Sequence, residues 1–373
     1  MQIGMVCYPS YGGSGVVATE LGLALAERGH TVHFISYDLP FRLDRFKENV
    51  TYHGVEIPAY PLFKYPPYLL ALADKIVEVS RLVGLELVHV HYAIPHAASA
   101  YLAKKMLGDG LKVITTLHGT DVTLVGSDPS FANIVVFSLN QSDGVTAVSE
   151  HLRQTTMELF RPDKEIEVIY NFINPQQYRP QSPPAARRRF GPPGTKVIAH
   201  VSNFRPVKRV EVVVEVFARI QKQVPDVRLL MVGDGPDVCR AYERACALGV
   251  RDRVAFLGKQ EDIPAILAGV DLFLLPSATE SFGLAALEAM ACGVPVVASR
   301  AGGLPEVIVE GETGYLLPPD DLEGMTCKAI KLLTDPVLHR QMAEAAFERA
   351  ATVFPTDLWV KRYEEFYARV LEA

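Results

Sequence analysis

The chain has 373 residues, 49% of them hydrophobic and 21% charged, with a formal net charge of −6. That length exceeds one ordinary core and suits two domains of ~100–200 residues each. The modest negative charge argues against a nucleic-acid surface, and no run approaches the ~18 unbroken apolar residues of a membrane span. MQIGMVCYPS at the start places no basic stretch before an apolar run, so no signal peptide is expected. Cys7, Cys239, Cys246, Cys292 and Cys327 are odd in number and form no C-x-x-C pair. They read as reduced thiols of a cytoplasmic protein, not as a zinc knuckle or a disulfide framework.

Short β-branched runs alternate with stretches of helical period from the first residues onward. QIGMVC (2–7) is the first predicted strand, followed by the loop YGGSG (11–15) and an amphipathic helix over 16–28, where Val17, Leu21 and Leu25 share a face. Gly13-Ser14-Gly15-Val16-Val17-Ala18 fits the dinucleotide pattern G-x-G-x-x-A, and Asp38 follows the next strand, TVHFIS (31–36), where a ribose-binding acid would sit. A nicotinamide dehydrogenase is therefore a competing reading. Against it, Tyr8-Pro9-Ser10-Tyr11 separates strand from glycine, whereas a dinucleotide turn begins at once. Further strands are predicted at LVHVHY (87–92), KVITTL (112–117), GVTAV (144–148) and IEVIY (166–170). His91, Tyr92, Thr116, His118 and Asp121 fall at carboxyl ends of these strands, where parallel sheets bind ligands. His89 shares a strand face with His91 and reads as a core histidine.

The alternation breaks at 179–195, RPQSPPAARRRFGPPGT, which has the proline and glycine content of a linker. Arg187, Arg188 and Arg189 within it read as a solvated helix face. A second alternation follows: KVIAHVS (196–202), VRLLMVG (227–233), RVAFLG (253–258), DLFLLP (271–276) and VPVVAS (294–299). The predicted fold class is α/β, with two Rossmann-like doubly wound domains facing each other across a cleft. The closing segment repeats Trp359, Tyr363, Phe366, Tyr367, Val370 and Leu371 at helical intervals and predicts a helix with a broad apolar face.

Two motifs of the second half carry chemistry. In ESFGLAALE (280–288) a helix is predicted to begin near Gly283, and its free amides and positive dipole end suit a diphosphate. Glu288 then lies roughly 7–8 Å along the axis, within reach of ribose hydroxyls, while Glu280 can face a sugar. In SNFRPVKR (202–209), Arg205 and Lys208 sit where a strand turns into a helix and can stabilise a departing nucleoside diphosphate. No two aspartates stand two residues apart, so the D-x-D metal motif is absent and cations must take its place.

Together SNFRPVKR, GDGP (233–236), FLGKQED (256–262) and the E-x7-E of ESFGLAALE resemble the family-4 retaining glycosyltransferases of the GT-B fold, over essentially the whole chain. The acceptor-half stretches CYPSYGGSGVVATELG, LPFRL, YPPYLLALA, HVHYAIPHA, TTLHGTDVTLVGSDPS, VTAVS and YNFIN are similar to members that glycosylate L-malate in bacillithiol biosynthesis. The resemblance implies an N-terminal acceptor domain over 1–172, a donor domain over 173–352, and a closing helix over 353–373 that packs back on the first. It implies UDP-N-acetylglucosamine as donor, a small hydroxy-acid acceptor, and no metal or other cofactor. Arg205 and Lys208 would hold the diphosphate, with the amides of Phe282, Gly283 and Leu284, and Glu288 the ribose. Glu280 would contact the hexose and Gly258, Lys259 and Gln260 the uracil. Ser14, Tyr92 and Thr116 would meet the acceptor, with Gly13, Ser14 and Gly15 near donor phosphate and sugar and His118 near the sugar. No covalent nucleophile is assigned. One departure stands out: Val136 occupies a place where an arginine is expected for a dicarboxylate acceptor, and Arg42 or Arg153 are the candidate substitutes. An inositol phosphate acceptor, the dehydrogenase and a non-catalytic sugar-nucleotide binder are the alternatives. No nucleic-acid or membrane partner is expected, and a homodimer is.

Overall fold

A computed structural model describes residues 1–373 apart from 11, 44–45, 58–63, 109, 125, 127 and 181–189. Tyr11 of the glycine loop, Arg187 to Arg189 and most of the proline-rich linker therefore lie outside the described residues. The chain divides into two compact units, Met1–Asn171 with Asp357–Ala373, and Phe172–Thr356.

The first unit is built on seven parallel strands: β1 (Gln2–Val6), β2 (Thr31–Ser36), β3 (Val50–Gly54), β4 (Leu87–His91), β5 (Lys112–Leu117), β6 (Gly144–Ala147) and β7 (Ile166–Val168). Their order is β3-β2-β1-β4-β5-β6-β7. Ile3 of β1 pairs with Val32 on one side and Leu87 on the other, so the strand order reverses between β1 and β4. Such a switch point leaves a crevice at the strands' carboxyl ends. The helix Gly13–Glu27 that follows β1 buries Val17, Leu21 and Leu25 against the sheet, on the face that its periodicity predicts. Helix starts carry their expected caps: Asp128 accepts from the Ser130 amide, and Ser149 from the Leu152 amide.

The final helix, Thr356–Glu372, closes this unit. It buries Val360, Tyr363, Phe366, Tyr367 and Val370. Trp359 meets Tyr170 edge-on at 5.0 Å, and a Cβ added to Gly144 of β6 would stand 2.6 Å from the Phe366 ring. Glycine at that position is what lets helix and strand approach so closely.

The second unit repeats the plan with six strands: β8 (Lys196–Val201), β9 (Val227–Val232), β10 (Val254–Gly258), β11 (Leu272–Leu275), β12 (Val296–Ser299) and β13 (Gly314–Leu317), in the order β10-β9-β8-β11-β12-β13. Its switch point lies between β8 and β11. Ile198, Phe217, Leu229 and Met231 lie at the centre of its core. Both sheets are parallel throughout, as the strand–helix alternation requires. Sequence periodicity anticipates every strand except β3 and β13. Among the described residues no helix is long and apolar enough to cross a membrane.

Candidate active site

In the second unit the site grows from the end of β8. His200 is fully buried, and its Nδ1 lies 2.9 Å from the Leu274 carbonyl, which can only accept. Neutral His200 thus offers its other nitrogen as an acceptor to the Ser202 hydroxyl, at 2.8 Å, and burial lowers its pKa to about 4. Ser202 in turn accepts from the Phe204 amide at 3.3 Å, pinning the turn that carries Arg205. Phe204 has φ +38 and Arg209 φ +50, uncommon for residues with a side chain. Gly233 and Gly235 of GDGP run directly beneath this turn, and a Cβ on either would overlap the carbonyl of Ser202 or Asn203. Close backbone approach is the reason for both glycines.

The turn ends in the short helix Pro206–Lys208. Lys208 Nζ donates to Glu280 Oε1 at 2.6 Å, and the Ser277 hydroxyl donates to the same oxygen at 2.8 Å. Glu280 is only 9% exposed, so this pairing keeps a nearly buried carboxylate from standing alone. Gly303 N–H binds the Glu280 carbonyl at 2.8 Å, fixing the backbone as well. Gly283, at φ +102, caps the helix Leu284–Ala291, and a Cβ there would lie 2.5 Å from Leu304. Within that helix Glu288 is 7% exposed and accepts from the Tyr178 hydroxyl at 2.6 Å. Phe282 is buried against Phe354.

In the first unit the carboxyl ends of β1, β4 and β5 bring together an aromatic and imidazole cluster. Ser14, in the first turn of Gly13–Glu27, donates to the Tyr92 hydroxyl at 3.1 Å. Tyr92 holds φ +104, a strained value for an aromatic residue and of the kind that gathers at functional sites. Tyr8 packs on Tyr92 and His96, and His96 binds the His91 carbonyl at 2.6 Å. His91 and His118 face each other at 2.8 Å. The buried Asp121 carboxylate accepts from the amides of Ala93, His118 and Gly119, tying the end of β4 to the turn after β5. Burial pushes the pKa of His118 down to about 3 and of His96 to about 4, so both rings are neutral at pH 7.

Sequence comparison gives two family matches: the pattern described as Glycosyltransferase Family 4 fits residues 11–177, and that described as Glycosyl transferases group 1 fits residues 184–349. The N-acetyl-alpha-D-glucosaminyl L-malate synthase of Bacillus anthracis is 50% identical over 372 residues, covering 100% of this chain and 97% of the relative. The chain belongs to the family-4 glycosyltransferases. A more distant relative, the D-inositol 3-phosphate glycosyltransferase of Stackebrandtia nassauensis, is 28% identical across 91% of this chain and 83% of its own. The crystal structure of Anabaena HepE in complex with UDP and glucose has the same fold, with a TM-score of 0.81 at 21% identity and 99% of each chain covered. Membership removes the dehydrogenase reading, and the G-x-G-x-x-A match is the ordinary opening of a Rossmann-like helix.

Of the residues singled out in this glycosyltransferase, Lys208 and Glu280 are in direct contact, with exposed Arg205 on the turn leading to Lys208. Phe282, Gly283 and Leu284 surround the start of the helix that carries Glu288. Gly258, Lys259 and Gln260 are exposed at the end of β10, on the same carboxyl edge, and Gln260 donates to the Leu257 carbonyl at 2.6 Å. In the first unit Ser14 and Tyr92 meet, whereas the Thr116 side chain is fully buried. Its hydroxyl lies 2.6 Å from both His89 Nε2 and Thr146 Oγ1, on the side of the closing helix. His89 is the satisfied core histidine expected, bound also to Tyr367 at 2.7 Å. The candidate substitutes for an arginine at Val136 have acidic partners: Arg42 pairs with Glu20 at 2.9 Å, and Arg153 with Glu150. Among the described residues no group of three His, Cys, Asp or Glu side chains is placed to hold a metal ion. Sequence reasoning missed Tyr178, which reaches Glu288 from 110 residues away, and Ser277 and His200, which orient Glu280 and the turn from two or three residues away.

Proposed function

We propose that this glycosyltransferase moves N-acetylglucosamine from UDP-N-acetylglucosamine to the hydroxyl of L-malate, with retention at the anomeric carbon, as the first step of bacillithiol biosynthesis. The observation that carries the reading is the likeness to the Bacillus anthracis synthase along the entire chain, acceptor half included. Arg205, Lys208 and the amides of Phe282, Gly283 and Leu284 hold the diphosphate. Glu288 takes the ribose, Gly258 to Gln260 the uracil, and Glu280 the hexose. When the bond from the anomeric carbon to the phosphate oxygen breaks, its electron pair stays on UDP, where fixed cations and helix amides stabilise it. That phosphate oxygen then accepts the proton of the malate hydroxyl, whose oxygen forms the new bond on the face the leaving group has left. No protein nucleophile is needed. Ser14 and Tyr92 meet the acceptor, and Thr116 acts from behind by holding His89 and the strand end. Gly13 and Gly15 keep the loop close to phosphate and sugar, and His118 lies at the sugar. We read the enzyme as a cytoplasmic homodimer acting on dissolved substrates, the assembly being open to light scattering.

The test is UDP release from UDP-N-acetylglucosamine in EDTA, with L-malate, myo-inositol 1-phosphate or no acceptor. Malate-dependent release is the expected result. Release stimulated by the inositol phosphate alone would replace malate as acceptor, and no release under any condition would reject the donor as well.

A further inference from the structure

His91 is fully buried behind His118, and its contacts determine where protons sit. Its Nε2 lies 3.1 Å from Met5 Sδ. A thioether carries no proton, so that nitrogen must be the donor. Neutral His91 then has no proton on Nδ1, the atom 2.8 Å from His118 Nε2. His118 must therefore donate to His91, and its single proton is on Nε2. Its Nδ1 keeps a lone pair and has no hydrogen-bond partner among the described residues. The arrangement is held from several sides. His91 lies between His89, with ring centroids 4.4 Å apart and 30° between planes, and His118, which it meets edge to edge at 5.0 Å and 28°. Asp121 clamps the backbone of both segments.

We propose that His91, anchored on Met5, is a positioning residue that fixes His118 as its Nε2–H tautomer and leaves the Nδ1 lone pair for substrate. A lone pair accepts from a hydroxyl and repels a carboxylate or phosphate oxygen. His118 thus selects a hydroxyl of the transferred sugar and contributes no positive charge to a dicarboxylate acceptor. Only the identity of that substrate group rests on the proposed function; the tautomer does not. Burial, which depresses the pKa of both rings, agrees with the single-proton count on each.

The experiment is a long-range proton–nitrogen correlation spectrum of the full chain with 15N-labelled histidine at pH 7, with His118 assigned by comparison with His118→Gln. His118 is expected to carry its proton on Nε2 alone. Protonation on Nδ1, or on both nitrogens, would overturn the proposal. Two variants separate positioning from packing. His91→Asn keeps an acceptor oxygen near the place of Nδ1 and should lower turnover by no more than about threefold, whereas His91→Phe removes it and should cost about tenfold, the effect of one lost hydrogen bond. Equal losses in the two variants, or none in His91→Phe, would also overturn it. Since the spectrum needs no substrate, absence of UDP release would reject the proposed function while leaving the tautomer assignment standing.

Discussion

Lys208 and Ser277 converge on one carboxylate oxygen of Glu280, and that geometry makes their roles separable. On the proposed mechanism Lys208→Ala removes a cation from the leaving phosphate, and it is expected to lower kcat at least ~100-fold in the UDP-release assay. A loss below about threefold would remove Lys208 from that role. Tyr178→Phe frees one oxygen of Glu288 and should raise KM for the UDP-sugar by roughly three- to tenfold, with kcat little changed, because a ribose contact is made equally in ground and transition states. The acids and cations of the site were legible because each belongs to a short motif at a strand end. Tyr178 was not: it lies 110 residues from Glu288, and no local pattern marks a tyrosine that reaches so far. Thr116 shows the converse limit. A strand end identifies the residue, but Thr116 is fully buried and its hydroxyl is taken up by His89 and Thr146, which no local pattern announces.

At the scale of elements, the loop that carries Glu280 is fixed by glycines that admit no side chain. Gly302 has φ +57, and a Cβ there would overlap the Glu280 carbonyl oxygen. Gly302→Ala should therefore destabilise the protein by about 2 kcal/mol or more and raise KM for the donor, measured by urea unfolding and steady-state kinetics. The closing helix invites a different test. Tyr367→Phe leaves a nitrogen of fully buried His89 without its partner, which should cost about 1–3 kcal/mol of stability while turnover changes little. Most strands were visible as apolar runs because a parallel sheet covered on both faces buries every residue of its central strands. The two missed strands are both at sheet edges. Residues of β3, VTYHG, are largely half-buried or exposed, so no apolar run marks them.

Across the whole molecule, protonation weighs unequally on the two units. His89, His91, His96 and His118 of the first are kept neutral by burial, and the second keeps His200 so. Unfolded histidine titrates near ~6.5. These groups have depressed folded pKa values, so the unfolded chain binds protons that the folded one refuses as pH falls below 6.5. The stability present above that pH is lost as the pH falls toward about 4 for His96 and His200 and about 3 for His89 and His118, and His91 loses it in the same direction. The urea midpoint followed by fluorescence of Trp359, the single tryptophan and part of the first unit, should therefore drop clearly between pH 7.5 and pH 5. An unchanged midpoint would contradict neutral rings. The same unit is also interrupted in sequence, since Asp357–Ala373 completes what Met1–Asn171 begins. During synthesis the nascent chain must therefore carry an unfinished N-terminal half while the contiguous Phe172–Thr356 segment emerges and can fold first. His89 and the Gly144 groove wait for a helix made only after that whole segment, so a message truncated ahead of Asp357 would leave the earliest-made half uncovered and the later-made one complete.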